Sequence, residues 1–331
     1  MWARRENVGL FRKDHGDPVA LTTGPLSYSS STVSLDGKRL FVVGEQQRAE
    51  LQRYDLKSHQ FVPYLSGISA GHIDVSRDRQ WMLYVAYPER TLWRSRIDGS
   101  EKMQLTSPTI IVFMPRFSPD AKQVTFVGHM AGQPQKAYIV SADGGTSQEL
   151  LPNMKNDQED DPGWSPDGKT LILAQYPQQI SNNNALDYSI VRVDAQSREV
   201  TKLPGTSGMF APRWSPDGRY LSTFSADERK LMLLEFSTGK WTELTTGKIL
   251  EFPNWSPDSK YVYYEDFGDD GPEIDRVRVA DHKKERLVGL KDVPRVSLSE
   301  GPWNGVALDG SPLIMRDVGN RELYSLELQL P

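Results

Sequence analysis

The sequence predicts an all-β protein built from a repeated four-stranded unit, and two observations lead to this prediction. The first is a recurrent stretch whose clearest copy, Pro212–Leu221, reads Pro-Arg-Trp-Ser-Pro-Asp-Gly-Arg-Tyr-Leu. The seven copies are anchored on the aspartates Asp36, Asp78, Asp120, Asp167, Asp217, Asp258 and Asp309. The second is their spacing, because consecutive anchors lie 41 to 51 residues apart. A repeat of this period is typical of β-propellers and solenoids.

The chemistry of the repeated stretch predicts a tight turn between two antiparallel strands. Proline pre-sets φ for the second turn position, aspartate suits the third, and glycine provides the left-handed residue that closes the hairpin. Runs rich in β-branched and aromatic residues follow each turn, such as Trp81–Val85 and Tyr261–Tyr264. The residue two before each proline-equivalent position is apolar, as packing between neighbouring repeats requires: Val33, Val75, Phe117, Trp164, Trp214, Trp255 and Val306.

Four strands per repeat predict a seven-bladed β-propeller that uses the whole chain, residues 1–331, as one domain. The predicted blades are 25–66, 67–107, 108–152, 153–204, 205–246, 247–291 and 292–331. The last blade contains three recognisable strands, so we expect the N-terminal strand 19–22 to complete it. A closing blade shared by both ends of the chain removes exposed sheet edges. An open ring or a six-bladed count is the alternative, because the first two turns and the last are degenerate.

Composition limits the classes of function. The net charge of −5, with both signs interspersed, argues against a nucleic-acid surface. The chain has no cysteine, which excludes disulfides and thiolate metal sites. No apolar run approaches the length of a membrane span, and the first residues lack the apolar core of a signal peptide.

The Trp-Ser-Pro-Asp-Gly copies, together with Val140–Gly145, resemble the TolB-like propeller repeat. Further stretches, among them Leu92–Ser95 and Leu313–Gly319, are similar to the C-terminal propeller of bacterial regulators that carry a winged-helix or kinase domain. The resemblance implies a sensory module that binds a ligand or a partner outside the membrane. Because the sequence starts at Met1 in the middle of a predicted blade, we expect it to be a fragment of a longer protein. The fragment would be periplasmic or extracytoplasmic if that protein is membrane-anchored, and otherwise cytoplasmic.

The polar residues just before the packing positions are candidates for a ligand site over the channel mouth. Arg116 and Arg213 suit a carboxylate or phosphate, and Asn254 occupies the equivalent position in the next repeat. The alternative is a structural network in which these arginines pair with Asp74 and nearby acids. Long connections at 155–161, 176–187 and 266–272 are expected to border the same mouth.

Other candidates at the mouth are two histidines and a tryptophan. His72 and His129 would lie near each other in adjacent blades, as a metal-binding or acid–base pair. Trp303, beside Glu300 and Asn304, could stack on a sugar or anchor a peptide, or be buried between blades. Ser69 lies in a Gly-x-Ser-x-Gly pattern, but the following residues read as a strand, so we expect a turn and not a nucleophile elbow.

Acidic loops are the remaining candidates. Asp160 and Asp161 end one loop, and Asp266, Asp269 and Asp270 lie in another. Clustered carboxylates suit Ca²⁺, although neither loop has EF-hand spacing, and solvated turns are the alternative. No other cofactor is expected.

Two functions are distinguished on the sequence, and a purely structural scaffold is an alternative to the first. One is a monomeric, non-enzymatic propeller that binds a protein, a peptide or a small glycan at its mouth. The other is a glycan-directed hydrolase or lyase, which would need paired carboxylates drawn from Asp74, Asp160, Asp161 and Asp266.

Overall fold

The computed structural model describes residues 2–3, 19–20, 26–154, 157–177, 188–299 and 301–327. Its strands fall into two compact units, one formed by residues 49–316 and the other by residues 1–48 and 317–331. We call these the propeller unit and the terminal unit. Within the described residues, the chain has one 3-10 turn, Leu65–Gly67, and no α-helix. The described part of the chain thus contains no helix that could span a membrane.

The strands of the terminal unit begin with the short pair β1 and β2 and continue with the first two strands of a sheet. They are β1 (Trp2–Ala3), β2 (Val19–Ala20), β3 (Ser27–Val33) and β4 (Arg39–Gln46). Its last strand comes from the C-terminal part of the chain and is given below with the propeller strands.

The propeller unit takes its strands from the middle of the chain. The first group is β5 (Ala49–Asp55), β6 (Gln60–Pro63), β7 (Ala70–Val75), β8 (Trp81–Ala86), β9 (Leu92–Arg96), β10 (Met103–Gln104), β11 (Ile111–Phe117), β12 (Gln123–His129), β13 (Lys136–Ser141), β14 (Gln148–Glu149), β15 (Asp157–Trp164) and β16 (Thr170–Pro177). The second group is β17 (Ser189–Asp194), β18 (Val200–Lys202), β19 (Met209–Trp214), β20 (Tyr220–Ser225), β21 (Lys230–Glu235), β22 (Lys240–Thr246), β23 (Leu250–Trp255), β24 (Tyr261–Gly268), β25 (Gly271–Arg278), β26 (Lys284–Gly289), β27 (Asn304–Val306) and β28 (Pro312–Asp317). The terminal unit is completed by β29 (Asn320–Glu327).

Seven sheets have the strand order of propeller blades, which confirms the predicted all-β propeller class. Six are four-stranded: β7–β10, β11–β14, β15–β18, β19–β22, β23–β26, and a sixth in the order β27-β28-β5-β6. The seventh, in the terminal unit, has three strands in the order β29-β4-β3. In the propeller unit the innermost strands contact one another in succession from β7 to β27, and β27 contacts β7. This unit therefore closes as a ring of six blades.

The closing blade is shared by N- and C-terminal strands as predicted, but the structure distributes the strands differently. The predicted first blade, 25–66, is divided, because β5 and β6 complete the sheet of β27 and β28. The predicted closing strand at 19–22 is described only at Val19–Ala20, which pairs with Trp2–Ala3. Burial gives the physical reason: β5 alternates buried and partly exposed residues, and Pro312–Met315 of β28 are all buried. Pairing these two strands buries both.

The repeated turn is held by one serine and one aspartate. In the copy around Ser215, the hydroxyl donates to Asp217 Oδ1 at 2.6 Å and accepts from the Tyr220 amide at 2.9 Å. The Asp217 carboxylate accepts from the Arg219 amide at 3.0 Å. The same serine-to-aspartate bond recurs at Ser34, Ser76, Ser118, Ser165 and Ser256.

The aromatic residues before the turns tie neighbouring blades together. Trp255 donates its indole N–H to the Arg213 carbonyl of the preceding blade at 3.0 Å, and its ring stacks on Tyr220. Trp214 stacks on Phe236 of its own blade with ring centroids 4.5 Å apart, and both pack in an apolar cluster that includes Ile172 of the preceding blade. The predicted packing role fails at Val33 in the terminal unit, whose surface is 55% exposed. Its strand, β3, is mostly exposed along its length.

The serine of the turn is expected to contribute measurably to stability. Ser215 is fully buried, and Ser215→Ala removes a charge-assisted hydrogen bond and leaves the Tyr220 amide without its acceptor. We expect the free energy of unfolding to fall by about 1–3 kcal/mol in chemical denaturation. Ser237→Ala, at an exposed serine, is the control. Equal values for the two variants would contradict this role of the turn.

Candidate functional site

The channel of the propeller unit is lined by two layers of residues, which arise from a bulge repeated on the innermost strands. In β7, β11, β15, β19 and β23 the pairing register shifts near the middle of the strand. At each shift one non-glycine residue has φ between 47° and 57°: His72, Met114, Asp161, Ala211 and Phe252. We call these the bulge residues. Bulges re-aim side chains and are common beside functional sites.

Four of the bulge residues line a cavity of about 180 Å³, which we call the mouth cavity. They are joined by residues from three neighbouring blades. The full lining is Met114, Asp160, Asp161, Phe210, Ala211, Arg213, Phe224, Glu228, Glu251, Phe252 and Pro253. Glu228 follows β20 in the connection to β21, and this type of connection lies at the end of the propeller opposite the Ser-Pro-Asp turns. The cavity therefore opens on the predicted mouth side.

The residues two positions after the bulge line a second cavity, of about 190 Å³, on the side of the Ser-Pro-Asp turns. Asp74, Arg116, Gly163 and Arg213 all contribute to it. Asp74 accepts a hydrogen bond from the Phe117 amide at 2.7 Å. Burial raises the pKa of Asp74, and the nearby positive charge of Arg116 opposes that shift. Arg116 thus lies in this turn-side cavity and not in the mouth cavity, where the sequence prediction placed it.

Arg213 separates the two cavities. It lines both, and its guanidinium forms an ion pair with Asp161, whose side chain is 1% exposed. Burial and the nearby charge of Arg116 lower the pKa of Arg213, while the carboxylates of Asp160 and Asp74 oppose this. The predicted alternative, an internal network of arginines and acids, therefore describes the surroundings of Arg213.

Glu251 and Glu228 add two further acidic groups to the lining of the mouth cavity. The Leu250 amide donates to the Glu228 carbonyl at 2.7 Å, which fixes the two residues near each other. Burial raises the pKa of Glu251 to about 7, and the negative charges of Glu228 and Glu265 add to the effect, while Arg295 opposes it. Burial also raises the pKa of Glu228. The Oε2 atom of Glu251 is buried and accepts no hydrogen bond from any described residue.

The predicted histidines lie in different surroundings. His72 is 2% exposed, and its ring lies 5.6 Å from that of Trp303 and 6.4 Å from that of Phe113. His129 ends β12 opposite Ile111 and is half-buried.

The remaining predicted mouth residues have internal contacts or lie outside the described structure. Trp303 is 6% exposed and belongs to an apolar cluster, which corresponds to burial between blades. Asn254 donates to the Phe252 carbonyl at 2.9 Å. Glu300 and the asparagine-rich stretch 178–187 lie outside the described residues.

Asp266 lies beside two other carboxylates, but they are not those of Asp269 and Asp270, with which it was grouped on the sequence. Ligand atoms of Asp266, Glu273 and Asp275 lie within 4.8 Å of one another. The Lys284 ammonium pairs with Asp275 at 2.8 Å and with Asp266 at 3.4 Å. Asp269 is exposed and pairs with Lys248, and Asp270 is exposed as well.

Ser69 precedes β7, and no helix follows it. Its hydroxyl donates to the Tyr87 carbonyl at 2.9 Å and accepts from the Ala49 amide at 3.0 Å. The expected turn is therefore what the structure shows, and the hydroxyl is used to hold β5 and β8 close to β7.

Comparison with known proteins agrees with this architecture. The family model of the TolB β-propeller domain (PD40) matches residues 69–295.

The chain belongs to the TolB β-propeller family.

Two curated relatives share part of this PD40 propeller. The uncharacterized peptidase YuxL of Bacillus subtilis is 26% identical over 151 residues, which are 45% of this chain and 21% of that protein. The TolB homologue of Chlorobium luteolum is 26% identical over 154 residues, 46% of this chain and 33% of that protein. The match thus spans a fifth to a third of the length of these relatives.

Solved structures resemble the PD40 propeller in fold. TolB from Acinetobacter baumannii superposes with a TM-score of 0.54 at 17% identity, covering 89% of this chain and 81% of that one. An oligogalacturonate lyase in complex with manganese superposes with a TM-score of 0.52 at 16% identity, covering 80% of each chain. At such identities the likeness concerns the fold alone.

Glu228, Glu251 and three bulge residues of this PD40 propeller were not predicted from the sequence. The signal for the bulge layer was present, because Met114, Asp161, Ala211 and Phe252 each precede the proline of a repeat by one position. Glu228 lies in a connection without a repeated motif, so its position beside Glu251 depends on how two blades pack.

The raised pKa of Glu251 predicts a pH-dependent cost in stability. A carboxyl whose pKa is higher in the folded than in the unfolded state destabilises the fold progressively as the pH rises between those two values, here from about 4.5 to about 7. After discounting for partial exposure, Glu251→Gln should raise the free energy of unfolding by about 1–2 kcal/mol at pH 8 and leave it unchanged at pH 4. Denaturant titrations at both values measure this, with exposed Glu199→Gln as control. An equal effect at both pH values would contradict the raised pKa.

The positive charge of Lys284 is expected to stabilise the cluster of carboxylates formed by Asp266, Glu273 and Asp275. Burial raises the pKa of Asp275 to about 6 even with Lys284 beside it. Lys284→Met should lower the free energy of unfolding by about 1–3 kcal/mol at pH 8, with a smaller loss at pH 5, where Asp275 binds a proton. If Lys284→Met leaves the free energy of unfolding unchanged and Ca²⁺ raises the melting temperature of the wild type, then a metal ion, and not Lys284, balances the charge of these carboxylates.

Proposed function

We propose that this propeller is a non-enzymatic binding module that holds a segment of a partner protein, or a small ligand, in the mouth cavity. The observation that carries the proposal is the composition of that cavity. Its walls combine the rings of Phe210, Phe224 and Phe252 with five charged side chains, those of Asp160, Asp161, Arg213, Glu228 and Glu251. Concave sites that combine aromatic side chains with a few convergent polar groups are typical of binding pockets.

The internal pairing of the channel supports the same function. The Arg213 guanidinium pairs with Asp161, and Asp74 accepts the Phe117 amide. These contacts rigidify the floor of the mouth cavity and leave its aromatic walls as the recognition surface. In this proposal the propeller is the sensory or interaction part of a larger bacterial regulator, as its resemblance to the propellers of winged-helix and kinase regulators implies.

One observation favours a second function, acid–base catalysis on a glycan. The pKa of about 7 at Glu251 suits a general acid at neutral pH, and Asp160 and Asp161 line the same cavity. The binding function remains the preferred one, because Asp161 is already paired with Arg213 and is therefore held as part of the structure.

Peptide selection can test the binding proposal. Peptides selected from a random display library on the immobilised chain should bind the mouth cavity. We expect Phe210→Ala to weaken the selected peptides by at least about tenfold, the cost of losing one aromatic anchor. Arg77→Ala, in the turn-side cavity, should leave their affinity unchanged.

Melting temperatures of both variants show whether the fold is kept. If Phe210→Ala leaves the affinity of the selected peptides unchanged, the peptides bind outside the mouth cavity, and the proposal is overturned. Release of reducing ends from a polysaccharide panel, lost in Glu251→Gln, would instead support the catalytic function.

A further inference from the structure

The charge of the mouth cavity is unbalanced. Four carboxylates line it, those of Asp160, Asp161, Glu228 and Glu251, against one guanidinium, that of Arg213. Arg213 is engaged by Asp161. Among the residues that the structure describes, no lysine or arginine forms an ion pair with Glu228 or Glu251.

A further arginine, Arg295, influences Glu251 but is paired with another carboxylate. Arg295 donates two hydrogen bonds to Glu265, at 2.7 and 2.8 Å, and Glu265 also accepts from Asn304 at 2.9 Å. Arg295 and Glu265 are both almost fully buried, with side chains 7% and 0% exposed. A bidentate pair of this kind has a fixed geometry. Arg295 therefore influences Glu251 only through its electrostatic field.

Two buried carboxylate oxygens in the cavity lack a donor. Oε2 of Glu251 and Oδ1 of Asp161 accept no hydrogen bond from any described residue, although both atoms are shielded from solvent. The side chain of Asp161 is 1% exposed. Buried acceptors without a donor destabilise a fold, so such atoms at the wall of a cavity indicate a donor that arrives with a ligand.

The apolar walls of the cavity suit a ligand in which an aliphatic or planar apolar part carries a positively charged group. Phe210 and Phe252 contribute aromatic rings, a type of group that attracts cations, and Met114 and Pro253 add apolar contact. The volume of about 180 Å³ is smaller than that of drug-sized pockets, roughly 300–1,000 Å³, and is of the size of one long side chain.

A single metal ion fits this cavity less well than an organic cation. Among the described residues, the one group of three carboxylate or histidine ligands that converges within 4.8 Å is formed by Asp266, Glu273 and Asp275, elsewhere in the blade of β23–β26. The carboxylates that line the mouth cavity form no such converging group. A guanidinium or ammonium group, with several donors pointing in different directions, suits carboxylates that do not converge on one point.

We infer that the mouth cavity is a subsite for one organic cation, the guanidinium or ammonium group of an arginine or lysine side chain of the partner protein. The inference rests on the proposed binding function and names its ligand class. The cation would replace the missing donors of Glu251 and Asp161, while Phe210 and Phe252 enclose its stem.

The test uses the full chain and four defined probes. These are N-acetyl-arginine amide and N-acetyl-lysine amide, with the neutral N-acetyl-citrulline amide and N-acetyl-norleucine amide as their matched controls. Ligand-observed NMR titrations should give binding of the two cationic probes and at least about fivefold weaker binding of the neutral ones, as expected for loss of a charge-assisted hydrogen bond. Glu251→Gln should weaken the cationic probes by at least about fivefold and leave the neutral probes unchanged. Glu199→Gln should change neither.

Every other outcome overturns the inference. It fails if arginine and citrulline probes bind equally, if none binds up to about 10 mM, or if Glu251→Gln leaves the cationic probes unaffected. Glu228→Gln provides a second variant, with the same expected direction, should Glu251→Gln lower the melting temperature. The proposed function has a separate readout: selected peptides that need Phe210 but contain no arginine or lysine would preserve the binding module and remove only the cationic subsite.

Discussion

The pairing of β28 with β5 is the constraint on which the rest of the propeller unit depends. Each of the other five blades is contiguous in sequence, but the sixth exists only when Pro312–Asp317 meets Ala49–Asp55. That pairing brings β27 between β23 and β7, and so completes the succession of innermost strands. A closed ring has no free inner edge, and it fixes the separation of residues on non-adjacent blades. The mouth cavity, which draws residues from blades as distant as those of Met114 and Phe252, requires this fixed separation.

The bulges on the innermost strands shape the channel of that ring into a candidate binding site. A left-handed residue other than glycine costs about 1–2 kcal/mol, and the propeller unit has one on five of its innermost strands. The recurrence at equivalent positions indicates that blade packing stabilises this backbone in those five blades. Its effect is a channel with two distinct chemical layers, an acidic and aromatic one at the mouth and an arginine-containing one beside the turns. Backbone strain that is retained in this way is concentrated at functional sites in proteins generally.

The fold could be predicted from the sequence because its signals are local and repeated. The Ser-Pro-Asp turn is specified by residues five apart at most, as in the bonds of Ser215 to Asp217 and Tyr220. Strand exchange between the ends of the chain could not be predicted in detail, because the partners of β5 are selected by burial about 260 residues further on. The channel candidates were only partly predictable for a related reason. Arg213 and Asp161 follow the repeat, whereas Glu228 reaches the cavity through the packing of two blades and carries no signature.

The shared closing blade also has a consequence for biosynthesis. Ala49–Pro63 emerge from the ribosome long before Pro312–Asp317, the segment with which β5 pairs in the ring. During that interval five blades can form one after another, while the first two strands of the propeller unit have no sheet to join. Long-range pairings of this kind form late and slowly, and unpaired strand edges attract other chains. The last step of folding is therefore the step most exposed to aggregation, and chaperone protection of the nascent chain would matter most for the stretch around β5 and β6.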